Sequence, residues 1–291
     1  MELGPQRTAG ERSAGLREAV RLAFAVALAA SALSSAAGAT DPPPAIAHRL
    51  EPIRRFAAEE ARQAVAVDAD YFFAIDDRRI GKYSKETGER VAAWTAPAGA
   101  PIVHLNSGVV LDGRLYCAHS NYPALPMRSS IESFDAATLE HVGSQPLGLL
   151  PGSATWVDRR DGVFFVGLAN YAGRGGAPGR GPESTTVARF DASWHSLGGH
   201  AFPEPVIERF GTHSNSGGAF GPDGLLYATG HDAAEVYALR VPAAGLALEL
   251  VETVPAEATG QGIAWDPAAP DVLWTIRRDS REVVASRLVA P

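Results

Sequence analysis

The sequence predicts an all-β protein, a five-bladed β-propeller closed by an N-terminal strand. Three observations predict it. A hairpin of two short strands around an acidic or glycine turn recurs five times. Each hairpin is followed by a third strand, and four of the five by a fourth. No long segment keeps a helical period. Units of about 40 to 60 residues built this way, repeated in register, mark a propeller.

The hairpins run in order. The first is Gln63 to Asp68, a turn at Ala69-Asp70, then Tyr71 to Ile75 ending in Asp76-Asp77. The second runs from Asn106-Ser107 through Asp112-Gly113 to His119. The third is Ser153 to Asp158, a turn through Asp161-Gly162, then Val163 to Leu168 and Asn170-Tyr171. The fourth starts at Ser214-Asn215-Ser216, reverses at Pro222-Asp223-Gly224 and ends in His231-Asp232. The fifth is Gln261 to Asp266, a turn through Asp271, then Val272 to Ile276 and Arg277. Glycine, proline and aspartate at the reversals supply the turn chemistry.

Third strands follow at Ile80 to Tyr83, Ile131 to Phe134, Val187 to Phe190, Val236 to Leu239 and Val283 to Ser286. The first three lead into similar turns at Ser84, Asp135 and Asp191. Fourth strands are expected at Arg90 to Trp94, His141 to Gln145, Ser196 to Ala201 and Leu246 to Val251. The fifth unit ends without one. Leu50 to Phe56 precedes the first unit and is expected to fill that place, closing the ring and removing exposed sheet edges. An insertion, Ala172 to Glu183, separates the second and third strands of unit three. It is rich in glycine and arginine, and its location suggests a lid over a site.

Residues 1 to 39 read as a secretory signal peptide. Arg7, Arg12, Arg17 and Arg21 make a basic start, Leu22 to Leu33 is apolar, and Ala37-Gly38-Ala39 fits the small-residue cleavage pattern. The apolar stretch is shorter than the roughly 20 residues a spanning helix needs. Residues 40 to 47, with Asp41-Pro42-Pro43-Pro44, form a stiff linker. Residues 48 to 291 form a single propeller domain. The expected location is secreted or periplasmic, with no membrane insertion after cleavage.

Of 26 basic and 33 acidic residues, cleavage near Ala39 removes four arginines and three glutamates. It leaves 22 basic and 30 acidic residues and a net charge of −8. That sign gives no general attraction for nucleic acid. Cys117 is the only cysteine, so no intrachain disulfide forms. The protein is expected to be a monomer stabilised by packing.

In a propeller blade the innermost strand starts, and the second strand ends, on one face of the disc. That face collects His104, Asn106, Asn215 and Gln261 from strand starts. It collects His119, Asn121, His231, Asp232 and Arg277 from strand ends. The recurrence of polar groups at these positions in every unit points to an axial polar pocket. His231 with Asp232 beside it, or His119, suits proton transfer. Arg277 suits an acidic substrate group, and His104, Asn106, Asn121, Asn215 and Gln261 suit substrate binding. His104, His119, His213 and His231 with Asp232 are the donors a metal would use. No His-x-x-x-His or cysteine pair supports one, so no cofactor is expected. No Gly-x-Ser-x-Gly elbow is present.

From Gln63-x-Val-Ala-Val-Asp68 to Gln261-Gly-Ile-Ala-Trp-Asp266 the chain resembles small secreted bacterial β-propellers of the uncharacterised or cycloisomerase-like kind. Its five units, and the opening hairpin followed by Lys85-Glu86-Thr87-Gly88, resemble the plant-type glutaminyl cyclases (glutamine cyclotransferase). That group carries a Tyr-Glu pair on the first hairpin, where this chain has Phe73-Ala74. The resemblance implies an exported enzyme that performs a cyclisation or a lactone-type acid–base reaction on a small-molecule or peptide ligand. The alternative is a non-catalytic propeller of the cell envelope that binds a small ligand or partner.

Overall fold

The structure, a computed structural model, describes Met1 and residues 48–290. The expected signal peptide and linker, residues 1 to 47, lie outside the described residues apart from Met1. Five four-stranded antiparallel sheets follow one another in a ring. An outer strand, β1 (Arg49–Ala57), comes first in the chain. Blade one is β2 (Ala64–Val67), β3 (Tyr71–Asp76), β4 (Arg79–Ser84) and β5 (Arg90–Thr95). Blade two is β6 (Leu105–Leu111), β7 (Arg114–Ser120), β8 (Ser129–Asp135) and β9 (His141–Gly148). Blade three is β10 (Ser153–Arg160), β11 (Val163–Ala169), β12 (Thr186–Phe190) and β13 (Ser196–Ala201). Blade four is β14 (Gly217–Phe220), β15 (Leu226–Thr229), β16 (Glu235–Arg240) and β17 (Glu249–Pro255). Blade five is β18 (Ala264–Trp265), β19 (Val272–Arg277) and β20 (Glu282–Val289), with β1 as its outer strand.

The strands nearest the axis are largely buried; β2 is Ala-Val-Ala-Val with every residue inside. The outer strands are mostly exposed or half-buried, and β9 alternates the two along its length. The turns after the third strands share one device. The Ser84 hydroxyl accepts from the Glu86 and Thr87 amides, the Asp135 carboxylate from those of Ala137 and Thr138, and Asp191 from those of Ser193 and His195. Apolar clusters fill the spaces between neighbouring blades, so the core is a ring of interfaces.

Two features differ from the sequence expectation. A short helix, α1 (Glu204–Phe210), joins blades three and four. It buries Val206 and Phe210, with Phe202 and Tyr237 packed edge-on to Phe210. The outer strand of blade four begins at Glu249, not Leu246. Residues 246 to 248 are drawn to blade three instead: the Ala201 amide donates to the Leu246 carbonyl and the Leu248 amide to that of Ala201. Among the described residues no helix is long and apolar enough to cross a membrane.

Ring closure rests on β1. It pairs antiparallel with β20 from Arg49↔Val289 to Ala57↔Glu282. Phe56, 7% exposed, stacks on Trp274 of blade five at 5.7 Å and meets Phe72 of blade one at 5.0 Å. The Arg54 guanidinium donates to the Lys85 and Glu86 carbonyls. Gly88 is needed beside it: its φ is +76°, and a Cβ there would sit 2.9 Å from the Phe56 ring. Lys85 in turn pairs with Asp266 at 2.9 Å, and Asp266 accepts from the Trp274 indole at 2.9 Å. Phe56→Ala is expected to cost about 3 kcal/mol and to lower the melting temperature by about 6–12 °C. A chain beginning at residue 60 should lose stability throughout the ring. A truncated protein that melts like its parent would contradict this role of β1.

Candidate functional site

A cavity of about 520 Å³ opens at one end of the propeller axis. Its floor takes one polar residue from each blade: Gln63, Asn106, Thr155, Ser216 and Gln261. All five are buried, between 2% and 7% exposed. Local irregularities accompany three of them. The register of β6 against β7 shifts between Leu105 and Gly108, across Asn106, and that of β10 against β11 between Ala154 and Trp156, across Thr155. Such bulges re-aim side chains at strand ends. Gln261 holds a φ of +69°, an uncommon conformation for a residue with a side chain.

The ends of the second strands form the wall. Asp77, Tyr122, Tyr171, His231 and Arg278 line it, with Arg62, His104, Arg174 and His213 around them. Two polar chains organise these groups. In the first, the Asp77 carboxylate accepts from Gln63 Nε2 and from His104 Nδ1, each at 2.7 Å. His104 Nε2 then accepts from Asn106 Nδ2 at 3.2 Å. Burial would raise the Asp77 pKa, but the bonds from His104 and Gln63 outweigh it and hold the carboxyl below its usual value.

In the second chain, His231 Nδ1 donates to Asp232 at 2.6 Å. Its Nε2 lies 3.2 Å from an Arg278 Nη1, which can only donate. His231 is therefore neutral, with its lone pair on Nε2. Burial lowers its pKa, Asp232 opposes this, and His213 and Arg278 push further down. His213 Nδ1 shares the other Asp232 oxygen at 3.2 Å. Burial would raise Asp232, and its bonds from His231 and His213 outweigh that and hold it low.

Arg278 makes no ion pair closer than 4.0 Å among the described residues, and burial beside Arg62 disfavours its charge. Arg174, from the insertion, lies over the Tyr122 ring at 6.0 Å. Gly175 packs so closely there that a Cβ would come within 2.4 Å of Tyr122. Tyr122 also meets His104 at 5.1 Å and Tyr171 at 5.0 Å. The insertion thus touches the cavity wall. Three arginines face two acidic neighbours, Asp77 and Asp279, in the lining. That balance suits an anionic group.

The structure brings together His231, His104, Asn106 and Gln261 in this lining, with Asp232 bonded behind His231. It places four other candidates elsewhere. Arg277 is the last residue of β19, and its guanidinium pairs with Glu282 at 3.1 Å and Glu257 at 3.6 Å. The next residue, Arg278, is the one in the cavity. Asn215 is fully buried and committed: it accepts from the Trp156 indole at 2.6 Å and donates to the Gly217 and Thr229 carbonyls. Asn121 ties its own loop together through Pro126 and Arg128. His119 faces the cleft between blades one and two, with both ring nitrogens occupied by Val103 and Ser130.

Arg62, Asp77, Tyr122, Arg174 and Arg278 complete the site. Asp77 follows a strand end already singled out, and Arg174 belongs to the insertion, so both left a signal. His213 reaches the site through the turn Gly211–His213 that follows α1. His213, His231 and Asp232 offer donor atoms within 4.8 Å of one another, a grouping that could hold a metal ion. Of the donors expected from the sequence these three meet, while His104 is bonded to Asp77 and Asn106 and His119 faces the cleft between blades one and two.

No protein-family model matches this sequence, and no curated protein does. Among solved structures the chain is similar to a luciferin-regenerating enzyme, at 8% identity and a TM-score of 0.49, over 84% of this chain and 95% of that one. A mitotic checkpoint complex matches at 10% identity and a TM-score of 0.44, over 86% of this chain and 95% of that one. A protein of unknown function from Bacteroides caccae matches at 14% identity and a TM-score of 0.45, over 74% and 70%. At these values the likenesses carry no argument about function.

The protonation of His119 is open to measurement. Burial drives its pKa down from 6.5 to about 4. The unfolded chain therefore takes up a proton before the folded one does. Stability contributed by neutral His119 is complete above pH 6.5 and is lost as pH falls toward 4, by roughly 3 kcal/mol in all. Asp158, whose buried carboxyl is raised to about 6, works in the opposite sense over part of that window. The informative quantity is thus the stability of the parent minus that of His119→Gln, followed by denaturant titration from pH 7 to pH 4. It should fall by about that amount; a difference independent of pH would contradict the buried neutral imidazole.

Proposed function

We propose that this chain is an exported β-propeller enzyme that opens or closes a lactone-type ring in a small carboxylate-bearing molecule. One observation carries the reading: the Asp232–His231 pair presents an unprotonated Nε2 toward a cavity that also holds the under-neutralised Arg278. In the free protein Arg278 covers that nitrogen. A substrate carboxylate, or the carbonyl oxygen of the ring, would draw the guanidinium away and leave Nε2 free to act as a base. For hydrolysis, Nε2 takes a proton from water while the water oxygen adds to the carbonyl carbon. Arg278 stabilises the oxyanion. The ring C–O bond then breaks, and the leaving oxygen takes the proton back from His231. The reverse sequence is a cyclisation.

Two features favour this chemistry over cyclisation of an N-terminal glutamine. The three arginines suit an acid better than a peptide amine. Phe73 and Ala74, which occupy the place of the Tyr-Glu pair, are fully buried in blade one and offer no carboxylate.

The test uses a panel of carboxylate-bearing lactones. Turnover by the parent should fall at least about 100-fold in His231→Gln and strongly in Arg278→Lys, with melting temperatures near the parent's. Activity should survive a chelator. Loss of activity on chelation, restored by a divalent ion, would assign His213, His231 and Asp232 to a metal and overturn the base. Binding of the acids without turnover of any lactone would favour the non-catalytic envelope propeller. Export predicts a mature N-terminus near Thr40; a soluble cytoplasmic protein beginning at Met1 would contradict it.

A further inference from the structure

A second cavity, about 530 Å³, lies away from the axis in the cleft between blades one and two. Its polar side continues the face of blade two that packs on blade one. Leu115, Cys117 and His119 alternate on β7 opposite Phe134, Glu132 and Ser130 on β8. The inner part of this face is apolar core. Its outer part turns polar where apolar residues would fill an interface at lower cost.

The hydrogen bonds there have a single polarity. The Val103 amide donates to His119 Nε2 at 3.1 Å, so His119 carries its proton on Nδ1 and donates to the Ser130 hydroxyl at 2.9 Å. Ser130 donates to Glu132 Oε1 at 2.5 Å, and Ser144 to the same oxygen at 2.8 Å. His141 Nε2 donates to Glu132 Oε2 at 2.8 Å. Glu132 is 3% exposed and accepts from all three. Every donor in the cluster leads to this carboxylate, His119 through Ser130. With Nε2 bonded to Glu132, the Nδ1 of His141 has no hydrogen-bond partner among the described residues, on a side chain 31% exposed at the cavity, and in the neutral ring that nitrogen is an acceptor.

The rest of the wall is mainly apolar, with Asn121, Arg128 and Ser129 as its other polar residues. Trp94, Pro97, Pro101, Ile102 and Pro146 supply the apolar part. Trp94 is set edge-on to Phe134 at 4.8 Å, and His141 lies 6.2 Å from its ring. The cavity therefore pairs a mainly apolar wall with an imidazole nitrogen whose ring is bonded to a buried carboxylate. We infer that this cleft is a second ligand site, separate from the axial cavity, and that it takes a small aromatic alcohol of the phenol class. The ring would pack against Trp94 and the prolines, and the hydroxyl would donate to His141 Nδ1.

The experiment titrates phenol into the intact protein and follows the Trp94 indole N–H and the His141 ring by NMR. Saturable shifts are expected at both residues and none at His231. Toluene, which lacks the donor, should bind at least about tenfold more weakly. His141→Phe keeps a ring against Phe134 but removes the acceptor, and should abolish the preference for phenol over toluene. Equal binding of phenol and toluene by the parent, shifts absent from Trp94 and His141, or an unchanged preference in a folded His141→Phe variant would each overturn the inference. If that variant does not fold, the comparison of phenol with toluene in the parent decides.

Discussion

The pairing of Arg49–Ala57 with Glu282–Val289 is the contact on which the remaining geometry depends. It makes one sheet from both ends of the described chain. Without it blade five would have three strands and an open edge, and blades one and five would lose the Phe56 layer between Phe72 and Trp274. The Lys85–Gly88 turn, which carries part of the resemblance to cyclising enzymes, serves this closure. Its carbonyls receive Arg54, its glycine makes room for Phe56, and its lysine reaches Asp266 across the blade boundary. The motif is explained by architecture and says little about chemistry.

Closure also sets the axial cavity. Five innermost strands converge, and five polar side chains at or near their starts meet on the floor. Their carboxylate and imidazole neighbours divide into two chains of hydrogen bonds. In one, His104 is occupied at both nitrogens, by Asp77 and Asn106, and holds the floor in place. In the other, the only partner of His231 Nε2 among the described residues is a guanidinium that an anion can compete for. The same fold thus fixes one histidine between two side chains and sets another against a guanidinium.

The five-fold hairpin was legible because strand alternation and turn residues are local properties. The closing strand was legible because unit five lacked a partner and residues 50 to 56 had no other place. The site was legible only in part. A strand end misplaced by one residue moves a side chain to the other face, which separates Arg277 from Arg278. Asn215 precedes an innermost strand and His119 lies near the end of a second strand, yet Trp156 claims the first and the blade interface the second. Neither competition is visible in a single strand. His213 depends on α1, whose seven residues carry too little periodicity to be read. The outer strand of blade four shifted because Ala201 captured Leu246 and Leu248, a long-range pairing.

The central claim is that His231 is a neutral base whose lone pair faces the axial cavity. Nitrogen NMR of the histidine rings tests it most directly. At neutral pH His231 should show a protonated, hydrogen-bonded Nδ1 and an unprotonated Nε2, and addition of a small dicarboxylate should shift the Nε2 signal as Arg278 is drawn away. A His231 protonated at Nε2, or an Nε2 signal indifferent to every anion, would contradict the account.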